Sequence, residues 1–433
     1  METEQGAELN TTQPRKIIIV GAGAVGAAAA LNLRRKGFEA TIIDPDPPGH
    51  GCSFGNAGAI SPGSVVPIAL PGMIMQTPRW LIDPLGPLFV RWRYTLKAAP
   101  WLMRWLSASR MTQVSRSAEG LKPLIGPTFN EYEKLLGPTA FHSLFRQQGQ
   151  LYVWESEHPS RSELVGHELR AKHGIEFHWL QREEISQYEP ALAPIFARGM
   201  FLPNNGQTVQ PLKLVETIID QFRAEGGAVE QGRVVGIHPH DDGTVSITLD
   251  DGRSVEATGV VIAAGARSSD FTKSLGVNIP LETERGYHVM LPNDASLIRR
   301  PVVHADRAFI VSPMTDGLRV AGTVEIAGVD APPDFGRATS LLHHAKSMFP
   351  ELRGDQSSDW MGLRPSIPDS VPVIGRCPTA RSVIFAFGHG HLGITGAAMT
   401  GRLVAEIAND EEPSIDIAAY RPDRFFGSVR RSA

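Results

Sequence analysis

Two periodicities of hydrophobic and polar positions divide this chain. The first apolar run, 17–20 (Ile17, Ile18, Ile19, Val20), is unbroken, the pattern of a strand buried on both faces. It enters Gly21, Gly23 and Gly26, continues into an alanine-rich helical stretch, and is followed by a second buried strand ending at Asp44. Residues 72–150 read as mainly helical, punctuated by Pro78, Pro84, Pro87, Pro100, Pro123, Pro127 and Pro138. A strand over 150–154 and a polar helix over 161–173 follow. In 212–225, Leu214, Ile218, Ile219 and Phe222 recur at helical spacing behind Pro211, a residue suited to a first helical turn. Alternation then takes over: Val245, Ile247 and Leu249 after an Asp-Asp-Gly turn at 241–243 predict a hairpin. One strand is expected over 255–264, closing at Gly265. Short strands at 287–291, 308–311 and 318–324 predict an antiparallel sheet, and a helix over 339–349, a strand over 383–386 and a helix over 397–409 complete the chain.

The first of these units carries chemistry. A strand, then Gly21, Gly23 and Gly26 opening a helix, then an acid about twenty residues on, is the dinucleotide-binding pattern. Gly21 permits a tight turn, Gly23 lets backbone approach a pyrophosphate, and Gly26 lets the helix lie close on the sheet. The helix N-terminus, at Ala24 and Val25, then faces the phosphates with its positive end, and Asp44 accepts from a ribose. A ligand-free glycine turn is the alternative, disfavoured by the correct strand, helix and acid around it. FAD and NAD share this pattern, so it does not choose between them.

Composition narrows the class. The chain has 433 residues, enough for two to three folding units, with ordinary shares of charged (20%) and hydrophobic (42%) residues. A net charge of -4 without a basic run excludes nucleic acid as the main partner. Cys52 and Cys377 form no metal-ligand spacing and fit a reducing compartment. Residues 1–14 lack the charged-then-apolar pattern of a secretory signal and read as a disordered tail, which makes a cytoplasmic location the expectation. No apolar run spans a bilayer. Trp80, Leu81, Ile82, Leu85, Trp92, Trp101 and Trp105, mixed with Arg79, Arg91, Arg93, Lys97, Arg104 and Arg110, form either a helix lying in a membrane interface, at the cytoplasmic face of the inner membrane, or a helical excursion packed on its own domain.

Further small-residue loops lie far apart in sequence. Ser53 to Gly58, with Asn56 and Ala57, lets backbone approach something flat or anionic, and Ser61-Pro62-Gly63 follows it. The strand 260–264 closes at Gly265. Gly362-Leu363-Arg364-Pro365-Ser366-Ile367-Pro368-Asp369 precedes Gly388-His389-Gly390-His391-Leu392-Gly393-Ile394-Thr395-Gly396, where a strand again runs into a glycine-rich loop and a helix. These motifs, with Gly21 to Gly26 and Asp44, resemble in content and order the D-amino-acid oxidase family of FAD-dependent oxidoreductases, in the branch of bacterial D-amino-acid dehydrogenases and glycine oxidase. The resemblance spans nearly the whole chain. Arg285-Gly286-Tyr287 departs from the Lys-Gly-Tyr of the dehydrogenase branch.

The resemblance implies an α/β fold: a Rossmann-type FAD-binding domain assembled from 15–63, 199–279 and 356–427, interleaved with an α+β substrate domain, 64–198 and 280–355, built on an antiparallel sheet. It implies non-covalent FAD, with Asp44 at the adenosine ribose, Val234 and Val235 holding adenine by backbone, Asn56, Ala57 and Gly58 against the isoalloxazine ring, and Ser53 of the same loop also binding the cofactor. Gly265 closes a further cofactor-facing strand, and Gly390, Leu392, Gly393, Ile394 and Thr395 offer amides to the flavin edge that gains negative charge on reduction.

Three residues are candidates for the substrate side. Arg364 is the expected grip on a substrate carboxylate, because guanidinium meets carboxylate through two parallel hydrogen bonds; an exposed arginine beside Pro365 is the alternative. Tyr287 would donate its hydroxyl to the same carboxylate, wall the pocket, or pack in the sheet. His391 would shape the pocket, with a titration near working pH; His389 and His391 find no third ligand for a metal. His304 and Glu325 carry no role beyond pocket lining. The expected reaction is oxidation of a D-amino acid through an imine to a 2-oxo acid, with electrons passed to a quinone or other carrier. A secondary amine or small amino acid such as cis-4-hydroxy-D-proline, D-proline, sarcosine or glycine, and a non-catalytic flavoprotein subunit in a larger assembly, are the competing readings. Oligomeric state stays open.

Overall fold

The structure is a computed structural model that describes residues 15–73 and 88–426. Its first sheet has six strands in the order Ala228–Gln231, Glu39–Asp44, Lys16–Val20, Gly259–Ile262, Ala380–Phe387, Val373–Cys377. The first five are parallel and the last is antiparallel to its neighbour. The unbroken apolar run at 17–20 is explained by cover on both faces. Ile17 and Ile19 point into a core shared with three helices, Ala24–Arg35, Pro211–Ala224 and Gly393–Ala408. Ile18 and Val20 point into a second core beneath a three-stranded antiparallel ribbon, Val234–Pro239, Val245–Leu249 and Ser254–Ala257. Alternate residues of one strand thus hold two layers to the sheet.

The single strand expected over 255–264 is two. Ser254–Ala257 belongs to the ribbon and Gly259–Ile262 to the parallel sheet, with Thr258 between them donating from its amide and hydroxyl to the Lys16 carbonyl (2.9 and 2.8 Å). Half-exposed residues before Thr258 and fully buried ones after it mark the change of sheet.

Helices Ala24–Arg35 and Gly393–Ala408 approach backbone to backbone. A Cβ on Gly401 would stand 2.5 Å from the Ala28 carbonyl carbon, so contact requires glycine on one helix and the small buried side chains Ala27, Ala28 and Ala29 on the other.

The second sheet runs Ser358–Ser366, Glu282–Leu291, Gly317–Ile326, Phe309–Met314, Val302–His304, Gln150–Trp154, Arg198–Leu202, His178–Gln181, with Leu88–Val90 paired to Gly317–Ile326. It is mainly antiparallel. Helix Gly336–Met348 packs on it through Ala338, Leu341, Ala345 and Met348. Strand Arg198–Leu202, all but its first residue within 199–279, and strand Ser358–Ser366, within 356–427, are members of this sheet.

Helices Thr95–Ala108, Met111–Ile125, Thr128–Leu136 and Pro138–Leu144 form the helical excursion. Trp101 and Trp105, offered as membrane-facing, are buried, and the Trp101 indole donates to the Ser366 carbonyl (3.3 Å). They are walls of the protein's interior. Trp80, Leu81, Ile82, Leu85 and Arg79 of the same expectation, like the tail 1–14, lie outside the described residues. Among the described residues no helix is long and apolar enough to cross a membrane.

Candidate active site

The glycine turn is built as its pattern demands. Gly21 sits at φ +111°, where a Cβ would stand 2.5 Å from the Ala263 carbonyl oxygen; a Cβ on Gly26 would stand 2.0 Å from the Gly21 oxygen. Gly23 differs. Its φ is -72°, and a Cβ would meet nothing nearer than Ser53 Oγ at 3.4 Å, so the protein itself does not require glycine there. The helix it opens has no side-chain cap on Gly23 and no acid in its first turn. Ser53 reaches in from the second loop to accept from the Ala24 amide (3.0 Å). Asp44 accepts from the amides of Ala22 (2.7 Å) and Asp46 (2.9 Å), which ties the turn to the end of the second strand. Burial raises the Asp44 pKa, and these two amides pull it back. A helix end with no cap from its own N-cap residue and no acid in its first turn, behind a glycine that the fold could replace, fits a bound pyrophosphate. Val234 and Val235 begin the ribbon beside this strand end; the Val235 side chain is exposed.

The loop 52–58 is fastened from the second sheet. Arg319 donates to the carbonyls of Phe54 (3.0 Å) and Asn56 (2.6 Å), and His288 Nδ1 lies 3.1 Å from the Gly55 carbonyl. His288 also stacks on Trp360 at 5.1 Å between centroids. Trp360 lies where a Cβ on Gly55 would be, 2.0 Å away, so both the loop and the ring depend on that glycine. Asn56 turns its side chain back to accept from the Gly58 amide (2.8 Å).

The helix expected to start at 397 starts at Gly393, preceded by the 3-10 turn Gly390–Leu392. Gly393, Ile394 and Thr395 are therefore its first turn, where amides lack intrahelical partners. Tyr132 donates to the Ile394 carbonyl and Thr128 to the Thr395 carbonyl (2.6 Å each), so helix Thr128–Leu136 holds this terminus in place. Gly265 has φ +56° and opens a 3-10 turn after strand Gly259–Ile262.

Between these loops and the second sheet lies a cavity of about 500 Å³. Asn56, Ala57, Gly390 and Leu392 line one side; Arg364, Tyr287 and His391 all line it too. Arg364 stands on strand Ser358–Ser366 opposite Glu284. Its guanidinium lies over Gly286, where a Cβ would be 2.2 Å from Cζ, and donates to the Thr323 carbonyl (2.9 Å). Among the described residues no carboxylate is within ion-pair distance of it.

Of the roles offered for Tyr287, the structure shows the cavity wall and not the free donor. Its hydroxyl donates to Glu325 (2.5 Å) and accepts from the Asp334 amide (2.9 Å), so it walls the cavity with its proton already committed. Arg285, the departure noted in the sequence, points away from the cavity and is wholly buried. It donates to the carbonyls of Gly328, Val329, Ala331 and Pro332, while Glu325 also takes Arg91 (2.5 Å). Replacing Tyr287 with phenylalanine leaves the buried Glu325 and the Asp334 amide short of a partner. We expect a stability loss of about 1–3 kcal/mol in denaturant unfolding and a kcat/KM within about fivefold of the parent. A much larger kinetic loss without destabilisation would restore the hydroxyl as a substrate donor.

His391 opens onto the cavity, but the protein around it lowers its pKa to about 4, with Arg364 adding, so it does not titrate near neutral pH as expected. His389 donates or accepts at Thr400 Oγ1 (2.9 Å) and is pushed down to about 3 by burial; His288 is likewise pushed to about 3, by burial first and Arg319 second. In the unfolded chain these rings have a pKa near 6.5. The unfolded state therefore binds more protons between these values, and stability falls as pH drops from about 6.5 towards 3 and is level with respect to these groups above 7. Thermal unfolding between pH 8 and 4.5 should show this slope, reduced in His389→Gln.

Other features were not found from sequence. Thr323 has φ +56°, a left-handed conformation that costs a β-branched residue about 1–3 kcal/mol. It sits in a bulge, where Arg285 and Tyr287 are matched by Glu325 and Gly322. Its Oγ1 is buried without a hydrogen-bond partner among the described residues, and the residue lines the cavity. Nothing in a sequence marks a bulge within Gly317–Ile326. Glu284 is buried in the cavity wall; burial raises its pKa, against Ser366 and Arg364. Leu88, Val90, Trp101, Leu102, Trp105 and Ile326 make an apolar wall whose members come from three elements.

The chain matches the model of the family described as FAD dependent oxidoreductase (DAO) over residues 16–407. It is 38% identical over 418 residues to a D-amino-acid oxidase of Bradyrhizobium diazoefficiens, covering 95% of this chain and 99% of that protein. It is 31% identical over 424 residues to a D-amino acid dehydrogenase of Rhizorhabdus wittichii, covering 95% and 100%. Among solved structures, glycine oxidase from Geobacillus kaustophilus superposes with a TM-score of 0.71 at 22% identity, covering 95% of this chain and all of that one. The fold with its two large sheets, the glycine turn at 21–26 and the family match over 16–407 together place the chain in the DAO family of FAD-dependent oxidoreductases, as an FAD-binding enzyme.

Proposed function

We propose that the enzyme oxidises D-amino acids with apolar side chains, gripping the α-carboxylate with Arg364. One observation carries this reading: a guanidinium with no carboxylate partner among the described residues faces a cavity that also has an apolar wall. A cation so placed, with the buried Glu284 carboxyl beyond ion-pair distance, costs free energy until an anion arrives, and a substrate carboxylate supplies it. The Thr323 carbonyl holds one arm of the fork, leaving the rest for the carboxylate. Thr323 Oγ1, unpartnered beside it, gives a second polar contact that orients the α-carbon. The side chain then lies against Trp101, Trp105 and Ile326, an apolar surface that glycine or sarcosine would leave unfilled.

Bound FAD supplies the hydride acceptor, so that the amino acid loses its α-hydride to become an imine, which water hydrolyses to a 2-oxo acid and ammonia. Gly21, Gly23, Ala24, Val25 and Gly26 would hold the pyrophosphate, Asp44 the ribose, and Val234 and Val235 the adenine. Ser53, Asn56, Ala57, Gly58 and Gly265, with Gly390, Leu392, Gly393, Ile394 and Thr395, would enclose the flavin end. His391, held neutral, adds polarity there without adding charge. Segments carrying the parallel sheet would form the FAD domain and those carrying the second sheet the substrate domain. Electrons leave to oxygen, a quinone or another carrier.

Anaerobic addition of D-leucine, D-phenylalanine, D-proline, sarcosine and glycine to the flavin-loaded protein tests this. Flavin bleaching should be fastest with the first two and slowest with glycine. Bleaching by sarcosine or glycine alone overturns the substrate class, and no bleaching by any amine favours a binding subunit. Reoxidation by air against a quinone analogue then identifies the acceptor.

A further inference from the structure

A second cleft, of about 530 Å³, lies outside the cavity and is lined by Arg104, Arg110, Arg116 and Arg424. Arg424 is engaged, with Asp369 at 3.3 Å and the Val371 carbonyl at 2.5 Å. The other three are not: among the described residues their side chains have neither an ion-pair partner nor a hydrogen-bond acceptor. The sequence between Asp83 and Glu119 contains no acid but carries Arg91, Arg93, Lys97, Arg104, Arg110 and Arg116, a concentration of positive charge in a chain of net charge -4. Such segregation is unfavourable by itself and signals an anionic partner.

The cleft is also equipped for hydrogen bonding. Thr112 and Gln113, in the first turn of helix Met111–Ile125, line it, and that helix has no side-chain cap and no acid in its first turn, so its positive end is uncompensated. Ser117, one and a half turns on, lines the cleft, is 2% exposed, and its Oγ has no hydrogen-bond partner among the described residues. A buried hydroxyl left unpaired costs about 1–3 kcal/mol, which a ligand oxygen would recover.

We propose that this cleft binds a phosphate group. Three guanidinium forks, a helix N-terminus and a hydroxyl donor suit a dianion with several acceptor oxygens better than a carboxylate with two. The site is separate from the flavin and substrate residues and does not depend on the reaction assigned to them. Two sources share this chemistry. One is a soluble phosphate compound; the other is a phospholipid headgroup, whose chains would meet Met103, Leu106 and Met111, each exposed beside the cleft-lining residues (68%, 40% and 45%).

The flavin-loaded full chain is titrated calorimetrically with inorganic phosphate and pyrophosphate at constant ionic strength, and floated with phosphatidylglycerol or phosphatidylcholine vesicles. Saturable binding in the first arm identifies a soluble phosphate compound; flotation with phosphatidylglycerol alone identifies the headgroup. In either arm, the triple variant Arg104→Gln, Arg110→Gln, Arg116→Gln should weaken binding by about tenfold or more, as three exposed charge contacts would. Ser117→Ala should weaken it by a smaller factor. Flavin content and turnover stay at the parental level in both variants, which reports correct folding. Binding in neither arm, or binding undiminished in the triple variant, overturns the proposal.

Discussion

Arg364→Ala lowers kcat/KM for a D-amino acid by about two to three orders of magnitude, because removing one member of a desolvated charge pair costs about 2–5 kcal/mol. The loss should appear with flavin content and visible spectrum unchanged, since Arg364 lies on the second sheet and none of its contacts is to the glycine turn. Arg364→Lys should recover part of it: lysine keeps the charge but loses the planar fork. Steady-state kinetics on the purified variants, normalised to bound flavin, checks this. A kcat/KM within threefold of the parent in Arg364→Ala would remove the carboxylate from this position and with it the substrate class. Gly286→Ala provides an independent route to the same loss, because its Cβ would stand where the guanidinium now lies.

Gly26→Ala and Gly23→Ala should both lose FAD, but for different reasons. At Gly26 the new Cβ would stand 2.0 Å from a backbone oxygen, which cannot rotate aside. The helix must move off the sheet, at a cost at or above the roughly 1–3 kcal/mol of ordinary overpacking. The stabilisation that bound FAD provides, about 2.7 kcal/mol at a hundredfold excess over its Kd, is lost as well. At Gly23 the fold has room for a methyl, so the apo protein should keep its parental unfolding midpoint while binding FAD at least about tenfold more weakly, the glycine there serving backbone approach to pyrophosphate. The ratio of flavin to protein absorbance and the apo-protein Tm separate the two. An apo form of Gly23→Ala as destabilised as Gly26→Ala would show that the glycine serves the fold and not the ligand.

Local pattern was enough for the nucleotide half. Ile17 to Val20, the three glycines and Asp44 lie within thirty residues, and each acts through its own backbone or its nearest neighbours, so spacing alone reports their geometry. Arg364 was legible because a motif carries it. The same reasoning left alternatives open, or missed, where function depends on partners distant in sequence. Tyr287 reads as a donor, a wall or a packed residue alike until Glu325 and Asp334 are folded against it. His391 reads as a group titrating near neutral pH until the cavity walls and Arg364 around it lower its pKa to about 4. Trp101 and Trp105 suit a membrane interface or the interior alike until strand Gly317–Ile326 and the Ser366 carbonyl take up their faces.

The order of residues therefore decided which units form and that the chain holds a dinucleotide, since turns, caps and periodicity are short-range properties of the backbone. Packing decided the rest. The left-handed Thr323, the Gly286 platform under Arg364 and the apolar wall of the same cavity arise from contacts between strands and helices tens to hundreds of residues apart. Burial and hydrogen-bond commitment belong to the assembled molecule, and they determine whether a side chain is a donor, a charge or a wall.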